Sequence, residues 1–257
     1  MSKTRIIYGF HAVLARLKQN PASICKLFLD EKRVQKTHDS RVQAALDCAA
    51  AAKIVPKIVD FKTFENIESL RHQGIFAEIE ASQKALTLWD ILDSADFSNA
   101  ADSTEPLILL VLDGVTDPRN LGACLRAADG AGAGAVIAAK DRAAPLNEIA
   151  MKTASGAAES VPYIVVTNLA DALQDLQMAG FTIAGLADSA KDNLYRIQLP
   201  KKIVFVLGSE GNGLRKLTQK NCNYLLKIPM YGGVESLNVS TAAALCLFEA
   251  RRQFSSS

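Results

Sequence analysis

Short apolar runs alternate with amphipathic stretches along most of the chain, most regularly after residue 107. The runs predict buried strands at Leu107–Leu112, Ala135–Ala138, Tyr163–Val166, Thr182–Gly185, Ile203–Leu207 and Tyr224–Ile228. Helical periodicity between and after them predicts helices at Leu121–Ala131, Leu146–Ala154, Leu169–Met178 and Leu214–Asn221, and from Val239 onward. Strands that alternate with helices are typical of a parallel sheet covered by helices on both faces.

The first part of the chain shows a shorter version of the same pattern. It predicts helices at His11–Lys18, Arg41–Ala52 and near Phe64–Leu70, and strands at Cys25–Leu29, Ile54–Val59 and Ile75–Ile79. The stretch TLWDILDSADFSNAADSTEPL (87–107) is rich in Asp, Ser and Ala, as linkers are. We therefore expect a small α/β domain at 1–84, an acidic linker at 85–106 and a second α/β domain at 107–257.

Charge is unevenly distributed, although the net charge of the chain is only +2. Residues 1–84 carry 14 basic and 9 acidic residues, whereas 85–106 carry five acidic residues and no basic one. A basic N-terminal part suits a polyanionic partner, and a solvated charged surface explains the same excess. The candidates for phosphate contact are Lys3, Arg5, Arg16, Lys32, Arg33 and Lys36.

The five cysteines are widely spaced and show no metal-ligand spacing. We expect buried free thiols in a reducing compartment, which favours a cytoplasmic protein without a bound metal. No apolar run reaches the ~18 residues that span a bilayer, so no membrane role is expected. The N-terminus carries charges inside its apolar stretch and lacks the features of a signal peptide.

Three polar, glycine-containing segments follow predicted strands, where ligands of parallel sheets bind. They are LDGVTDPRNLGACLRAAD (112–129), KIVFVLGSEGNGLRKL (202–217) and IPMYGGVESLNVSTAAALCLFEARR (228–252). Glycines in the second let backbone N–H groups approach a ligand, but the Gly-Lys-Ser/Thr ending of a P-loop is missing. In the third, Gly232 and Gly233 permit a sharp bend.

Polar residues in these segments have structural as well as chemical interpretations. Asn120 is placed to cap the helix of the first segment, and Ser236 or Asn238 to cap the final helix. Arg126 lies among apolar neighbours, so a specific role is considered beside that of a solvent-facing arginine. Capping accounts for one polar residue of the third segment and leaves others unexplained.

Together the three segments closely resemble the signature motifs of the SpoU family of RNA ribose methyltransferases, in the SPOUT superfamily. The N-terminal IYGFHAVLARL and the later HQGI are similar to the small, ribosomal-protein-like RNA-binding domain of one branch. That branch comprises the 23S rRNA guanosine-2′-O-methyltransferases, and the resemblance covers nearly the whole chain.

The resemblance implies a parallel-sheet SPOUT domain whose C-terminal segment forms a trefoil knot, in a homodimer with the active site near the subunit interface. It also implies that S-adenosylmethionine is held in the knot, largely by backbone groups. Carried over by position, the cofactor-binding residues are Gly208, Ile228 and Leu237, with Leu207, Met230 and Val239 as neighbours.

The resemblance further implies a catalytic role for Arg126, at or beside the reacting 2′-hydroxyl. Asn120, Glu210, Ser236 and Asn238 are expected to form the polar network around it. Because a guanidinium with a pKa above ~12 is a poor base, Glu210 is the competing proton acceptor. No metal is implied.

The expected activity is methylation of a guanosine ribose in the peptidyl-transferase loop region of 23S rRNA. A ribose of another rRNA or of a tRNA is the alternative target. A protein of another class, a non-catalytic RNA-binding assembly factor on a methyltransferase scaffold, is the alternative function. Loss of the Asn/Arg or Ser/Asn pairs would indicate the latter, and all four residues are present.

Overall fold

A computed structural model describes residues 4–36, 39–64, 72–80, 86–93, 106–209 and 211–255. The chain divides into two compact units. The first comprises Met1–Lys84 together with Ser155–Ser160, and the second comprises Ala85–Ala154 and Val161–Ser257. The segment Ser155–Ser160 thus groups with the first unit, although it lies within the second domain predicted from the sequence.

The first unit is built on a four-stranded sheet. Its strands are β1 (Thr4–Tyr8), β2 (Ile24–Asp30), β3 (Lys57–Val59) and β4 (Ile75–Glu80), in the order β1-β4-β2-β3. Its helices are α1 (Phe10–Gln19), α2 (Glu31–Val34) and α3 (Ser40–Ala51). β4 is antiparallel to β1 and β2, whereas β3 is parallel to β2. Apolar residues of α1 and α3 form one core with the sheet, and a second cluster is aromatic: Phe28, Phe61 and Phe76.

Most elements predicted for this unit are confirmed, with ends that differ by a few residues. The predicted strand Ile54–Val59 is shorter in the structure, and β1 was not predicted. The helix predicted near Phe64–Leu70 falls largely on residues outside the described ranges.

Most of the predicted phosphate-contacting residues bind carboxylates within this unit. Arg5 and Arg16 both donate to Glu159, whose side chain is almost fully buried. Ion pairs also join Lys32 to Asp60 at 3.2 Å and Arg33 to Asp39 at 2.8 Å. These four cations are therefore engaged in ion pairs within the unit. Lys36 is exposed, and Lys3 lies outside the described residues.

Among the described residues of the second unit, seven strands form one sheet in the order β7-β6-β5-β10-β8-β11-β9. They are β5 (Leu107–Asp113), β6 (Ala135–Ala139), β7 (Tyr163–Val166), β8 (Thr182–Leu186), β9 (Asp192–Asn193), β10 (Lys202–Gly208) and β11 (Tyr224–Lys227). Every neighbouring pair is parallel. The helices are α4 (Leu88–Leu92), α5 (Pro118–Gly130), α6 (Glu148–Ala154), α8 (Leu169–Met178), α9 (Lys216–Lys220) and α10 (Val239–Ser255), and α7 (Ala157–Ser160) belongs to the first unit.

The central strands of this sheet are buried on both faces, as in a helix-covered parallel sheet. Leu109 and Val111 of β5 pack into a core that includes α4 and α8, while their neighbours Leu110 and Leu112 are buried on the opposite face. α10 contacts β5 and β10. The predicted α/β class is confirmed, and the trefoil knot stays a prediction.

Two further expectations need adjustment. Part of the predicted linker is ordered: Leu88 and Ile91 of α4 are buried in the core of the second unit. All five cysteines are free, but only Cys124 and Cys246 are buried, while Cys25 is exposed. Cys25 lies on β2 with its side chain away from the core, which the apolar character of its neighbours concealed. Within the described ranges, no helix is long and apolar enough to span a membrane.

Candidate active site

A cavity of about 460 Å³ opens at the carboxyl ends of β8, β10 and β11. This volume falls within the range of sites for small ligands, ~300–1,000 Å³. Residues at the ends of these strands and in the loops that follow them line it, at 186–189, at 207–209 and 211–214, and between 226 and 239. Since parallel strands end at the same edge of a sheet, segments far apart in sequence meet here.

The loop after β10 folds back onto the strand end. Ser209 and Gly213 form an isolated bridge, in which the Gly213 N–H donates to the Ser209 carbonyl at 2.9 Å. Gly208 has no room for a side chain, because a Cβ there would overlap the main chain of Gly213 and Leu214. Gly211 and Gly213 have φ values of 81° and 62°, which favour glycine. The glycine pattern thus closes the loop over the cavity.

A buried carboxylate fixes the end of this loop. Asp113, the last residue of β5, pairs in register with Gly208 and is 1% exposed. Its oxygens accept the main-chain N–H of Arg215 at 3.1 Å and the Arg215 Nε at 2.5 Å. The first and second signature segments are therefore connected by a charge-assisted contact beside the cavity.

The third segment forms the opposite wall. Ile228, Met230 and Leu237 line the cavity, while Tyr231 is 93% exposed. A Cβ added to Gly232 or Gly233 would meet no atom within 4 Å, and neither residue has a positive φ. Nothing in the surroundings or the backbone of these two positions therefore requires glycine, and the sharp bend that they permit stays a prediction.

Two asparagines connect the first and third segments. Asn238 Nδ2 donates to Asn120 Oδ1 at 3.0 Å. The Asn238 side chain also accepts the Ser240 N–H at 2.9 Å, as an N-cap of α10 does, which confirms one of its two predicted roles. Asn120, by contrast, does not cap α5: Asp117 does, accepting the Arg119 N–H at 2.8 Å. The helix begins earlier than predicted, with Pro118 in its first turn.

The six residues expected to bind the cofactor all line this cavity: Leu207, Gly208, Ile228, Met230, Leu237 and Val239. Ser236 lines it as well. Arg126 does not; it is exposed on α5 and has no hydrogen bond or ion pair with any described residue. Glu210 lies outside the described residues. Cofactor binding by this set stays a prediction, but its members do share one cavity.

The sequence interpretation missed one wall of the cavity. This wall consists of Leu186 at the end of β8, of Ala187, Asp188 and Ser189 after it, and of Gln219 of α9. Since β8 itself was predicted, inspecting the loop after every strand would have found this wall.

Electrostatics disfavour Cys222, which does not line the cavity, as a nucleophile. Burial first, and then the charge of Asp113, raise the pKa of Cys222 to about 11, so its thiol stays protonated at neutral pH. No group of residues suited to hold a metal ion occurs in the described part of the chain.

Comparisons with known families match the two parts of the chain to two different family models. Residues 107–248 match the model of the SpoU rRNA Methylase family, and residues 6–85 match that of an RNA 2′-O ribose methyltransferase substrate binding domain. The chain belongs to the SpoU rRNA methylase family. It is 48% identical to the 23S rRNA (guanosine-2′-O-)-methyltransferase RlmB of Ralstonia nicotianae, over 98% of this chain and 97% of the relative. It is 43% identical to RlmB of Pseudomonas aeruginosa, over 98% of each chain.

Solved structures of SpoU methylases share the fold. The AviRb methyltransferase of Streptomyces viridochromogenes, in complex with AdoMet, has a TM-score of 0.71 at 19% identity, over 99% of this chain and 92% of that one. An AdoMet-bound rRNA methyltransferase of Sinorhizobium meliloti has a TM-score of 0.71 at 24% identity, covering 97% and 87%.

We predict that Gly208→Ala weakens S-adenosylmethionine binding at least about tenfold, because the added methyl group forces the loop away from the strand end and opens the cavity. Isothermal titration calorimetry with the cofactor measures this. Gly232→Ala is the matched control, since its methyl group meets no atom. Equal cofactor affinity of the two variants would contradict the loop geometry.

We also predict unequal effects at the Asp113–Arg215 pair. Arg215→Ala leaves a buried carboxylate without its guanidinium and is expected to lower the free energy of unfolding by about 1–3 kcal/mol. Asp113→Asn keeps an oxygen for the Arg215 N–H, and the released guanidinium is partly solvated, so its effect should be smaller. Urea unfolding of both variants measures the difference, and a larger loss in Asp113→Asn would refute this account.

Proposed function

We propose that this protein transfers a methyl group from S-adenosylmethionine to the ribose 2′-hydroxyl of a guanosine in 23S rRNA. The observation that carries the proposal is the cavity itself. The second and third SpoU segments close around it, in a chain 48% identical over nearly its full length to a 23S rRNA guanosine-2′-O-methyltransferase. DNA is excluded as a substrate by the chemistry, because it lacks the 2′-hydroxyl.

The residues of the cavity fit the proposed cofactor. Leu207, Leu214, Ile228, Leu237 and Val239 provide an apolar wall, and the glycine-containing loop brings main-chain polar groups to the same space. Such a surface suits an uncharged adenine ring. When bound, S-adenosylmethionine supplies an electrophilic methyl group on a sulfonium. Two of the structural neighbours contain AdoMet.

The protein has to orient the 2′-oxygen and help to remove its proton. In the reaction a carbon–oxygen bond forms, the carbon–sulfur bond breaks, and the hydroxyl proton leaves. Orientation supplies ~7–11 kcal/mol in favourable cases, and a general base ~10²–10⁴-fold. We assign orientation to Asn120, Ser236 and Asn238, and contact with the 2′-hydroxyl or its neighbouring phosphate to Arg126. Glu210 is the competing proton acceptor.

The exposed position of Arg126 supports a homodimeric active site. Arg126 does not line the cavity of its own chain. It can therefore contact the reacting atoms only if the bound RNA extends out of the cavity to it, or if the arginine of a second copy completes the site. Phe248 of α10, a helix that contacts α5, is 50% exposed and offers apolar surface for such a second copy. We further propose that the enzyme acts in the cytoplasm on the peptidyl-transferase loop region.

Tritiated methyl transfer to ribosomal RNA from cells that lack the protein tests the function, with mapping of the labelled ribose. We expect transfer to one 23S guanosine and at least an about 100-fold lower kcat in Arg126→Ala, with unchanged cofactor affinity. Arg119→Ala is the control, since Arg119 is an exposed arginine of the same helix. Label in a tRNA or in another rRNA would show that the target is not 23S rRNA, and the absence of transfer would favour a non-catalytic assembly factor. Near-normal turnover of Arg126→Ala with an inactive Glu210→Ala would refute the arginine assignment.

Binding of RNA by the first unit needs cations that are not engaged in ion pairs. Lys36, Lys53 and Lys57 are exposed and form no ion pair with described residues. We predict that replacing all three with Glu weakens rRNA binding at least about tenfold and lowers its salt dependence, because fewer counterions are released. Filter binding at several salt concentrations measures this. Unchanged RNA affinity would contradict the prediction, while unchanged cofactor affinity is the control for folding.

A further inference from the structure

The turn that leads into β4 of the first unit has a defined conformation. The Ile75 N–H donates to the His72 carbonyl at 3.0 Å, and Gln73 and Gly74 lie between these two residues. The φ values of Gln73 and Gly74 are 55° and 91°, the pattern of a type I′ turn. β2 fixes the turn from the side, because the Asp30 N–H donates to the Gly74 carbonyl at 3.0 Å.

Gln73 occupies a strained position in this turn. A type I′ turn favours Gly, Asn or Asp at its two central positions, since a left-handed φ costs other residues ~1–2 kcal/mol. Gly74 meets this requirement, and a Cβ there would lie only 2.9 Å from the Arg33 Cγ. Gln73 does not meet it, although its side chain is exposed and has no hydrogen bond with any described residue. Strain without an internal contact to compensate for it is typical of binding sites.

The imidazole of His72 is held in one orientation. Its Nδ1 accepts the Gly74 main-chain N–H at 3.0 Å, and its ring packs edge-on against Phe61, with 4.9 Å between the ring centroids. Because a main-chain N–H only donates, Nδ1 carries no proton, and the neutral ring carries its proton on Nε2. Nε2 has no hydrogen-bond partner in the described part of the chain and is not a buried unpaired atom. Its N–H is therefore open to a ligand.

The charged groups beside the turn disfavour a phosphate as its partner. Arg33, which lies against Gly74, pairs with Asp39 at 2.8 Å. Asp30, whose main chain binds the Gly74 carbonyl, adds an acidic side chain. An uncharged polar partner suits these surroundings better. The exposed amide of the turn both donates and accepts hydrogen bonds, and the imidazole N–H donates, so the two groups match the polar edge of a nucleobase.

We propose that the side chain of Gln73 and Nε2 of His72 bind the edge of an unpaired RNA base. This site rests on the proposed function and deepens it, because it assigns part of the RNA specificity to the first unit. The match of residues 6–85 to a substrate binding domain supports RNA as the occupant. Proteins read RNA sequence mainly through hydrogen bonds to the edges of unpaired bases. A rigid turn offers such bonds at a low cost in conformational entropy.

Gln73→Gly separates recognition from folding. Glycine adopts a left-handed φ without strain, so the melting temperature should stay the same or rise, even though the unfolded chain becomes more flexible. Affinity for an unmodified 23S rRNA transcript, measured by filter binding, should fall about 3- to 10-fold through the loss of a hydrogen bond. Gln43→Ala removes an exposed amide from α3 of the same unit and is the matched control. Equal RNA affinities of the two variants would overturn the role of Gln73.

Two substitutions at His72 distinguish its two nitrogens. His72→Asn keeps an acceptor for the Gly74 N–H but has no counterpart of Nε2, so we expect an unchanged melting temperature and about 3- to 10-fold weaker RNA binding. His72→Gln places an amide near the position of Nε2 and loses the acceptor close to the main chain. Its melting temperature should be lower, but its RNA affinity should exceed that of His72→Asn. RNA affinity that falls only in His72→Gln would overturn the role of Nε2.

Salt dependence and a second RNA distinguish a base contact from a phosphate contact. Loss of a base contact weakens binding of the 23S rRNA transcript but changes neither its salt dependence nor the binding of a 16S rRNA transcript. Loss of a phosphate contact weakens binding of both RNAs and reduces the slope of log affinity against log salt by about one. We expect the first result for Gln73→Gly, and the second would overturn the assignment to a base edge.

Cofactor affinity and methyl transfer distinguish failure of this site from failure of the proposed function. The cavity belongs to the second unit, so the affinity for S-adenosylmethionine should be unchanged in all of these variants. A wild-type protein that transfers no methyl group to 23S rRNA would refute the proposed function. An active wild type whose RNA affinity is unchanged in Gln73→Gly and in His72→Asn would refute only recognition by the turn.

Discussion

The close approach of Gly208 to the main chain of Gly213 and Leu214 determines the shape of the cavity. With no side chain at the end of β10, the following loop turns back and forms a bridge between Ser209 and Gly213. Main chain of this loop then forms one wall of the cavity, which apolar and polar side chains of the neighbouring segments complete. Asp113 of the neighbouring strand β5 fixes the end of this loop, because its buried carboxylate accepts hydrogen bonds from the main-chain N–H and the guanidinium of Arg215.

The parallel sheet explains why three separate segments serve one site. In the sheet β10 lies between β5 and β8, and β11 is the next neighbour of β8. Because these strands are parallel, the loops after them emerge at the same edge of the sheet. The first segment contributes Asp113 and Asn120, the second the folded loop, and the third the apolar wall and Asn238. The asparagine pair connects the start of α5 with the start of α10. The cavity wall and the asparagine pair are thus parts of the same framework.

The sequence predicted the parallel sheet well, because strands buried on both faces appear as continuous apolar runs. It located the start of α5 poorly, since Asp117 and Asn120 are both good capping residues and Pro118 suits a tight turn as well as the first turn of a helix. Contacts between distant side chains could not be derived: neither the Asp113–Arg215 pair nor the asparagine pair has a local pattern. The roles of Gly208 and of Gly232 look alike in the sequence and differ only in what surrounds them.

Hydrogen–deuterium exchange with and without S-adenosylmethionine tests the central claim most directly. If the folded loop and the segment after β11 hold the cofactor, its addition should slow amide exchange in residues 207–215 and 227–240, while the amides of α1 and α3 in the first unit stay unchanged. Exchange that is unaffected in both stretches, or is slowed only in the first unit, would contradict this account.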